Sequence, residues 1–461
     1  MSQAFQRSTR RAFLQRSSLM SMAGAAAPWA LNLATLGEAA AAGAPTDYKA
    51  LVCLFMYGGN DHGNTLIPFD NSNYAAYQRI RGAVAIPQAN LAATALTPTV
   101  ALPDARQMAL APTMGGLKTL FDAGRMGVLL NVGTLIQPTT LAQYKAKSVP
   151  LPPKLFSHND QQSVWQSSLP EGATSGWGGR IGDLLLSSNS QSTFTCINVS
   201  SNAVYMSGQN AVQYQVGSGG PVAVRGFGAP IYGSAACSTA LRTLMTTTRP
   251  HLMQAEHVRI AARAIDAQAA LGSALTTVPA PATVFDSSNP LATQLALVAH
   301  MIAARSPLGA KRQVFFVSMG GFDLHDFMPS KHPGLLSQVS DALKSFYDAT
   351  VEMGVANQVT AFTASDFGRT LANNGDGSDH GWGSHHFVVG GAVQGGRFWG
   401  TLPQTAVNGT EDVGQGRLLP TTSVDQMAAT LATWMGVSAT DLPLVVPGIG
   451  NFSQRNLGWL A

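Results

Sequence analysis

Three separate apolar runs in this chain stop at the same kind of junction. "YKALVCLFMYGGNDHGN" leads into Gly58, Gly59 and Asp61, "RQVFFVSMGGFDLHD" into Gly320, Gly321 and Asp323, and "NQVTAFTASDFGRT" into Asp366. A short, continuous apolar run bounded by turn residues is the pattern of a strand buried on both faces. Residues 127–132 and "HHFVVGG" read as two more such strands. Between them, "PGLLSQVSDALKSFYDATVEMGV" places Leu335, Leu336, Val339, Leu343, Phe346 and Tyr347 at helical spacing before a stop at Gly354. Strands alternating with helices predict an α/β fold, here three-layer α/β/α with a largely parallel central sheet. Ligands bind such sheets beyond the carboxyl ends of the strands. Asp61, Asp323 and Asp366 are all expected there.

The chain of 461 residues is 45% hydrophobic, enough to bury both faces of such a sheet. Residues 187–290 break the alternation with Ser- and Gly-rich sequence followed by long helical periodicity, and read as an insertion or cap on a domain spanning 43–461. A further helix is expected over 290–305. Another, "SVDQMAATLATWMGV", carries Met427, Leu431 and Met435 on a core-facing side. Cys196 and Cys237 are candidates for one disulfide in an oxidising compartment, and Cys53 for a core thiol.

The first 42 residues read as a targeting segment. Arg10 and Arg11 followed by Phe13 and Leu14 resemble a twin-arginine signal, which implies the twin-arginine translocation machinery as a partner and a periplasmic or extracellular destination. An Ala-rich stretch offers a cleavage point after Ala42. Asn32 and Glu38 interrupt the apolar run short of a membrane span, so the mature chain is not expected to be an integral membrane protein. That chain carries a net charge of only +1 and no Lys/Arg run, which argues against a nucleic-acid partner.

The chemistry-bearing residues follow the strand ends. Gly58 and Gly59 permit a turn that presents Asn60, Asp61 and His62, or Asp61 simply shapes the loop as an Asx-turn residue. Asp323 and His325 form a D-x-H pair whose side chains share one face of an extended backbone, a hard oxygen and an imidazole suited to Zn, Mn or Fe. Asp366 fits a metal ligand, a helix cap or an ion-pair partner of Arg369, and Arg369 fits a bidentate anion holder. "NGDGSDHGWGSHHF" contributes Asp379, His380, His385 and His386. Adjacent strand residues face opposite sides, so His386 is expected toward the site and His385 away from it. In "LFSHNDQQSVWQ", Ser157 reads as an N-cap with Asp160 three residues on, and Ser157 and Ser163 are the candidate nucleophiles. No G-x-S-x-G, H-E-x-x-H, P-loop or G-x-G-x-x-G motif occurs.

Taken together, "LFMYGGNDHGNTLIP", "SHNDQQSVWQ", "GWGGRIGDLL", "GGFDLHD", "TASDFGRT", "NGDGSDHG" and "FVVGGAVQGG" resemble the DUF1501 family of exported bacterial proteins, itself related to the alkaline phosphatase and sulfatase superfamily. The resemblance implies an alkaline-phosphatase-like fold and one or two divalent ions, Zn or Mn, held by Asp61, Asp323, His325, Asp366 and His380, with His386 as a further candidate. "GSDH" resembles the G-T-D-H motif of phosphopentomutase-like members, which singles out His380. The superfamily's Asp-His pair becomes Asp366-Phe367 here, so a second ion would need His62, His158 or His386. The implied activity is hydrolysis of a small anionic ester, phosphate or sulfate. The alternative is a non-catalytic exported protein on the same fold that binds a cell-surface polymer.

Overall fold

The computed structural model describes residues 47–227 and 230–461, so the targeting segment of residues 1–42 lies outside the described residues. Residues Asp47–Ala461 form one compact unit. Its strands, in chain order, are β1 (Lys49–Met56), β2 (Leu66–Pro68), β3 (Met108–Leu110), β4 (Met126–Gly133), β5 (Cys196–Asn198), β6 (Tyr214–Gln215) and β7 (Arg312–Met319). They continue with β8 (Val359–Ser365), β9 (Arg369–Asn373), β10 (Ser378–His380), β11 (Ser384–Gly390), β12 (Arg397–Trp399) and β13 (Thr422–Ser423).

Nine of these strands make the central sheet, in the order β12-β4-β11-β8-β1-β7-β5-β6, with β13 also paired to β4. Strand β1 sits in the middle, parallel to β7 on one side and to β8 on the other. Only β11 runs antiparallel to its neighbours. The period-2 alternation of a strand explains how one apolar run serves two cores. Ala50, Val52, Leu54 and Met56 point to one face and Leu51, Cys53 and Phe55 to the other.

Helices cover both faces, which makes the three layers. On the first face lie α1 (Asn71–Arg81) and α2 (Gly115–Asp122). The second carries α3 (His158–Ser167), with Trp165, and α4 (Trp177–Leu185), with Trp177 and Ile181. Helix α5 (Ala235–Thr246) buries no residue along its length, and α6 (Leu252–Thr277) buries mainly its C-terminal half. The first face is completed by α7 (Pro290–Ala303) and α8 (Met328–Glu352), where Leu336, Val339, Leu343 and Phe346 are buried as their spacing predicts. Helix α9 (Val424–Met435) packs Met427, Leu431 and Met435 into the second core.

Residues 187–290 are not a separate cap throughout. Within them β5 and β6 form one edge of the central sheet, because Cys196–Asn198 extends the β7 ladder. Among the described residues, the helical pair α5 and α6 leaves the sheet. The Cys196–Cys237 disulfide does not form. Cys196 is buried under α4 with its Sγ against Gly182, while Cys237 is exposed on α5.

The loop after β1 is forced against its neighbours. Gly58 takes φ 114°, and a Cβ there would stand 2.3 Å from the Asp323 backbone nitrogen. Gly58→Ala is expected to cost roughly 2–4 kcal/mol, from left-handed strain plus overpacking against backbone that cannot yield. Urea unfolding would measure it, and a loss below about 0.5 kcal/mol would show that this junction is looser than described.

Candidate metal centre

Four side chains from two strand-end segments and one helix start meet at the carboxyl edge of the sheet. Asp323 and His325 follow β7, His380 ends β10, and His158 opens α3. The Asp323 carboxylate lies 3.1 Å from His325 Nε2, 3.3 Å from His380 Nε2 and, through its other oxygen, 3.5 Å from His158 Nε2. His325 Nε2 and His380 Nε2 face each other at 3.0 Å. Ligating atoms of His158, Asp323 and His380 all lie within 4.8 Å of one another.

The far side of each imidazole is held by an oxygen. His158 Nδ1 is 2.6 Å from Asp366, His325 Nδ1 is 3.1 Å from Asp379, and His380 Nδ1 is 2.8 Å from the Phe156 carbonyl. An oxygen acceptor at Nδ1 fixes the proton there and leaves the Nε2 lone pair pointing inward. Three inward lone pairs beside a carboxylate repel one another unless a cation or proton sits among them. Metal-ligating histidines are oriented in this way, by a carboxylate or carbonyl on the other nitrogen. Ligands about 2.0–2.2 Å from a tetrahedral ion stand roughly 3.3–3.6 Å apart, close to the spacings seen here. The donor set of His158, Asp323 and His380 therefore fits a divalent ion, with the His325 imidazole beside Asp323 and His380.

Electrostatics follow the same geometry. Burial works to raise the Asp323 carboxyl, but the hydrogen bond and charge of Arg369 outweigh it and hold the group below its usual range. The hydrogen bond that His158 donates to Asp366 pushes its imidazole up against the opposing effect of burial. Burial pushes His380 down. With a side chain 45% exposed, Asp323 remains open to solvent.

The other sequence candidates stand elsewhere. Asp61 is fully buried and its carboxylate is taken up by Arg81 Nη2 at 2.8 Å, by the Ser378 hydroxyl and by the Asn64 backbone N–H. It is an internal ion pair and turn cap, outside the cluster. Asp366 lies behind His158, accepting from Gly58 N–H, His158 and Gln162. It orients a ligand and is not itself part of the converging set. Arg369 cannot grip a substrate anion. Its guanidinium is buried and spent on the Gly58 carbonyl at 3.0 Å, Asp323 at 2.8 Å and the Ser378 carbonyl.

His386 points into the second core with Nδ1 3.4 Å from Thr363 Oγ1 and its ring against Trp165. His385 accepts from the Asn131 backbone N–H, so neither member of the pair reaches the cluster. Neither serine is poised for attack. Ser157 caps α3 without bonding its backbone and donates instead to Asp160 at 2.8 Å. Ser163 donates to the Leu169 and Pro170 carbonyls. Phe367 lies under the site, its ring 4.9 Å from His158 and 4.7 Å from His380. His158 thus brings an imidazole from α3 to lie beside the Phe367 ring. The "SHND" context reads as a helix cap, and nothing local in it signals that Asp366 waits 208 residues away.

A sequence model of the family described as "Protein of unknown function (DUF1501)" matches residues 48–446. The chain belongs to the DUF1501 family. No curated protein matches it. Among solved structures it is similar to Ps i-CgsB in complex with k-i-k-neocarrahexaose, at 9% identity over 87% of this chain and 74% of that one, with a TM-score of 0.36. It is also similar to the PsFucS1 sulfatase from Pseudoalteromonas sp., at 10% identity over 90% and 72%, TM-score 0.36. A 2-O GAG sulfatase gives 13% over 87% and 75%, TM-score 0.28. At such scores the chemistry of this DUF1501 site has to be read from its own residues.

Four buried histidines outside the cluster, His62, His332, His385 and His386, set a pH response of the fold, and burial holds His385 well below its usual range. Burial lowers His62 and His332 from 6.5 to about 4 and His386 to about 3. The unfolded chain binds those protons near 6.5 and the folded chain does not, so stability is full above about pH 6.5 and falls as pH drops toward 4. Melting temperature followed from pH 8 to pH 4 in chelator should begin its descent near pH 6.5. A curve flat down to pH 4.5 would contradict the burial of neutral imidazoles.

Proposed function

We propose that this DUF1501 protein is an exported, metal-dependent hydrolase-like protein built around one divalent cation. The observation that carries the reading is the convergence of three imidazole Nε2 atoms on Asp323, each ring fixed from behind by an oxygen. One ion is preferred over two because Asp61 is committed to Arg81 and Asp366 to His158. A divalent cation held there would supply Lewis acidity toward an ester oxygen and ease deprotonation of the attacking group.

The chain's own residues support a limited set of roles. His158, His325, His380 and Asp323 would hold the ion, and Asp366, Asp379 and Arg369 would position them. With Ser157 and Ser163 spent on other partners, water is the better nucleophile. With Arg369 also spent, the cation itself would be the attraction for a phosphate or sulfate ester. That same commitment of hydroxyls and guanidinium favours a second reading, a non-catalytic exported protein that keeps the metal and binds a cell-surface polymer. Export through the twin-arginine machinery rests on Arg10 and Arg11 and their downstream Ala-rich stretch.

Purified mature chain should contain about one Zn or Mn per molecule by elemental analysis. Asp323→Ala should lower the affinity at least tenfold, since it removes one ligand and the carboxylate that balances the ion's charge. Hydrolysis of phosphate mono- and diesters or sulfate esters that vanishes with chelator supports the hydrolase. Bound metal without turnover favours the binding protein. A folded chain that takes up neither metal overturns both.

A further inference from the structure

The helical pair α5 and α6 is built unlike the rest of the molecule. Helix α6 has 26 residues, about 39 Å of helix. Its C-terminal half packs Ile265, Ala267, Leu271 and Ala274 inward, while most of its first turns stay uncovered and α5 buries no residue fully. At the tip where the two helices turn, Leu244 is 63% exposed, Leu252 81% and Met253 71%. Three large apolar side chains grouped at a projecting turn are costly in water and mark an interaction surface.

Charge says what kind. Residues 222–263 contain five arginines (Arg225, Arg242, Arg249, Arg259 and Arg263) and one acid, Glu256. The remainder of residues 43–461 holds nineteen bases against twenty-two acids, so this segment carries all of the mature chain's positive excess. Among the described residues only Arg259 of the five is ion-paired, to Glu256 at 2.7 Å. Arg242 and Arg249 flank the apolar tip in sequence, and His251 adjoins it. Exposed apolar residues at a helix–helix turn, flanked in sequence by arginines, of which Arg242 rests over the Phe227 ring, are the composition of an element that lies in the interface of an anionic bilayer. None of the described helices is long and apolar enough to cross a membrane, so the contact would be peripheral. A polyanion without apolar character would use the arginines and leave Leu244, Leu252 and Met253 unexplained.

We infer that the α5–α6 tip is a peripheral docking element for an anionic lipid surface, with Leu244, Leu252 and Met253 entering the interface and Arg242 and Arg249 meeting headgroup charge. This surface is separate from the metal cluster and does not depend on it.

The test is sedimentation of the mature chain with vesicles of phosphatidylcholine alone or with 40% phosphatidylglycerol. Binding is expected to the anionic vesicles only, and to weaken in 0.5 M NaCl. The double variant Arg242→Gln/Arg249→Gln should bind roughly thirtyfold more weakly. Leu252→Ser/Met253→Ser should lose binding while keeping its circular dichroism and metal content, because neither side chain is buried. Failure to bind anionic vesicles overturns the inference, as does binding unaffected by both variants. Light scattering that finds a dimer abolished by Leu252→Ser/Met253→Ser would assign the tip to a second copy instead. Binding to dextran sulfate but not to vesicles would assign it to a polymer.

Discussion

The guanidinium of Arg369 ties the strand ends together. It bonds the Gly58 carbonyl from the loop after β1, the Asp323 carboxylate after β7 and the Ser378 carbonyl at the start of β10. Gly58 is far from the other two segments in sequence, and the three would otherwise present bare carbonyls and an acid to one another. A planar, permanently charged fork with five donors can satisfy all three from one buried position, which an ammonium could not. The position of Asp323 follows from that fork, and the three histidines are arranged around Asp323. Losing Arg369 would leave a carboxylate and two carbonyls without their donor, so the candidate metal site and the packing of the loops stand on the same residue.

A second buried arginine repeats the device one layer deeper. Arg81 reaches from α1 to Asp61, Asn64 and the Thr370 and Leu371 carbonyls. Ser378 then links the two systems, its hydroxyl on Asp61 and its carbonyl on Arg369. Buried ion pairs of this sort add little net stability over apolar packing but are costly to break on one side. Their effect here is geometric. They hold the β9–β10 hairpin, and with it His380, in register against the sheet.

Much of this was legible in the sequence, and the reason is periodicity. Unbroken apolar runs identified β1, β7 and β8, and their ends put Asp323 and Asp366 at one edge of the sheet. Helical spacing placed the buried face of α8. His325 and His380 could be singled out because ligand-type residues are rare in a chain with 11% charged residues and stand close to strand ends. What could not be read was pairing at a distance. Asp61 has the same Gly-Gly-x-Asp junction as Asp323, and only the fold shows that Arg81 claims it. His158 looks like the start of a capped helix until Asp366 is seen behind it. Arg369 looked free because its carbonyl partners leave no mark in sequence. The edge strands β5 and β6 are too short to show any period.

The central claim is that His158, His325, His380 and Asp323 close around one ion. X-ray absorption of the Zn-loaded chain reads that shell directly. The account predicts three nitrogens and one oxygen at about 2.0–2.1 Å, with the imidazole scattering pattern reduced by one ring in His158→Ala. A shell dominated by oxygen, or one unchanged in His158→Ala, would contradict it.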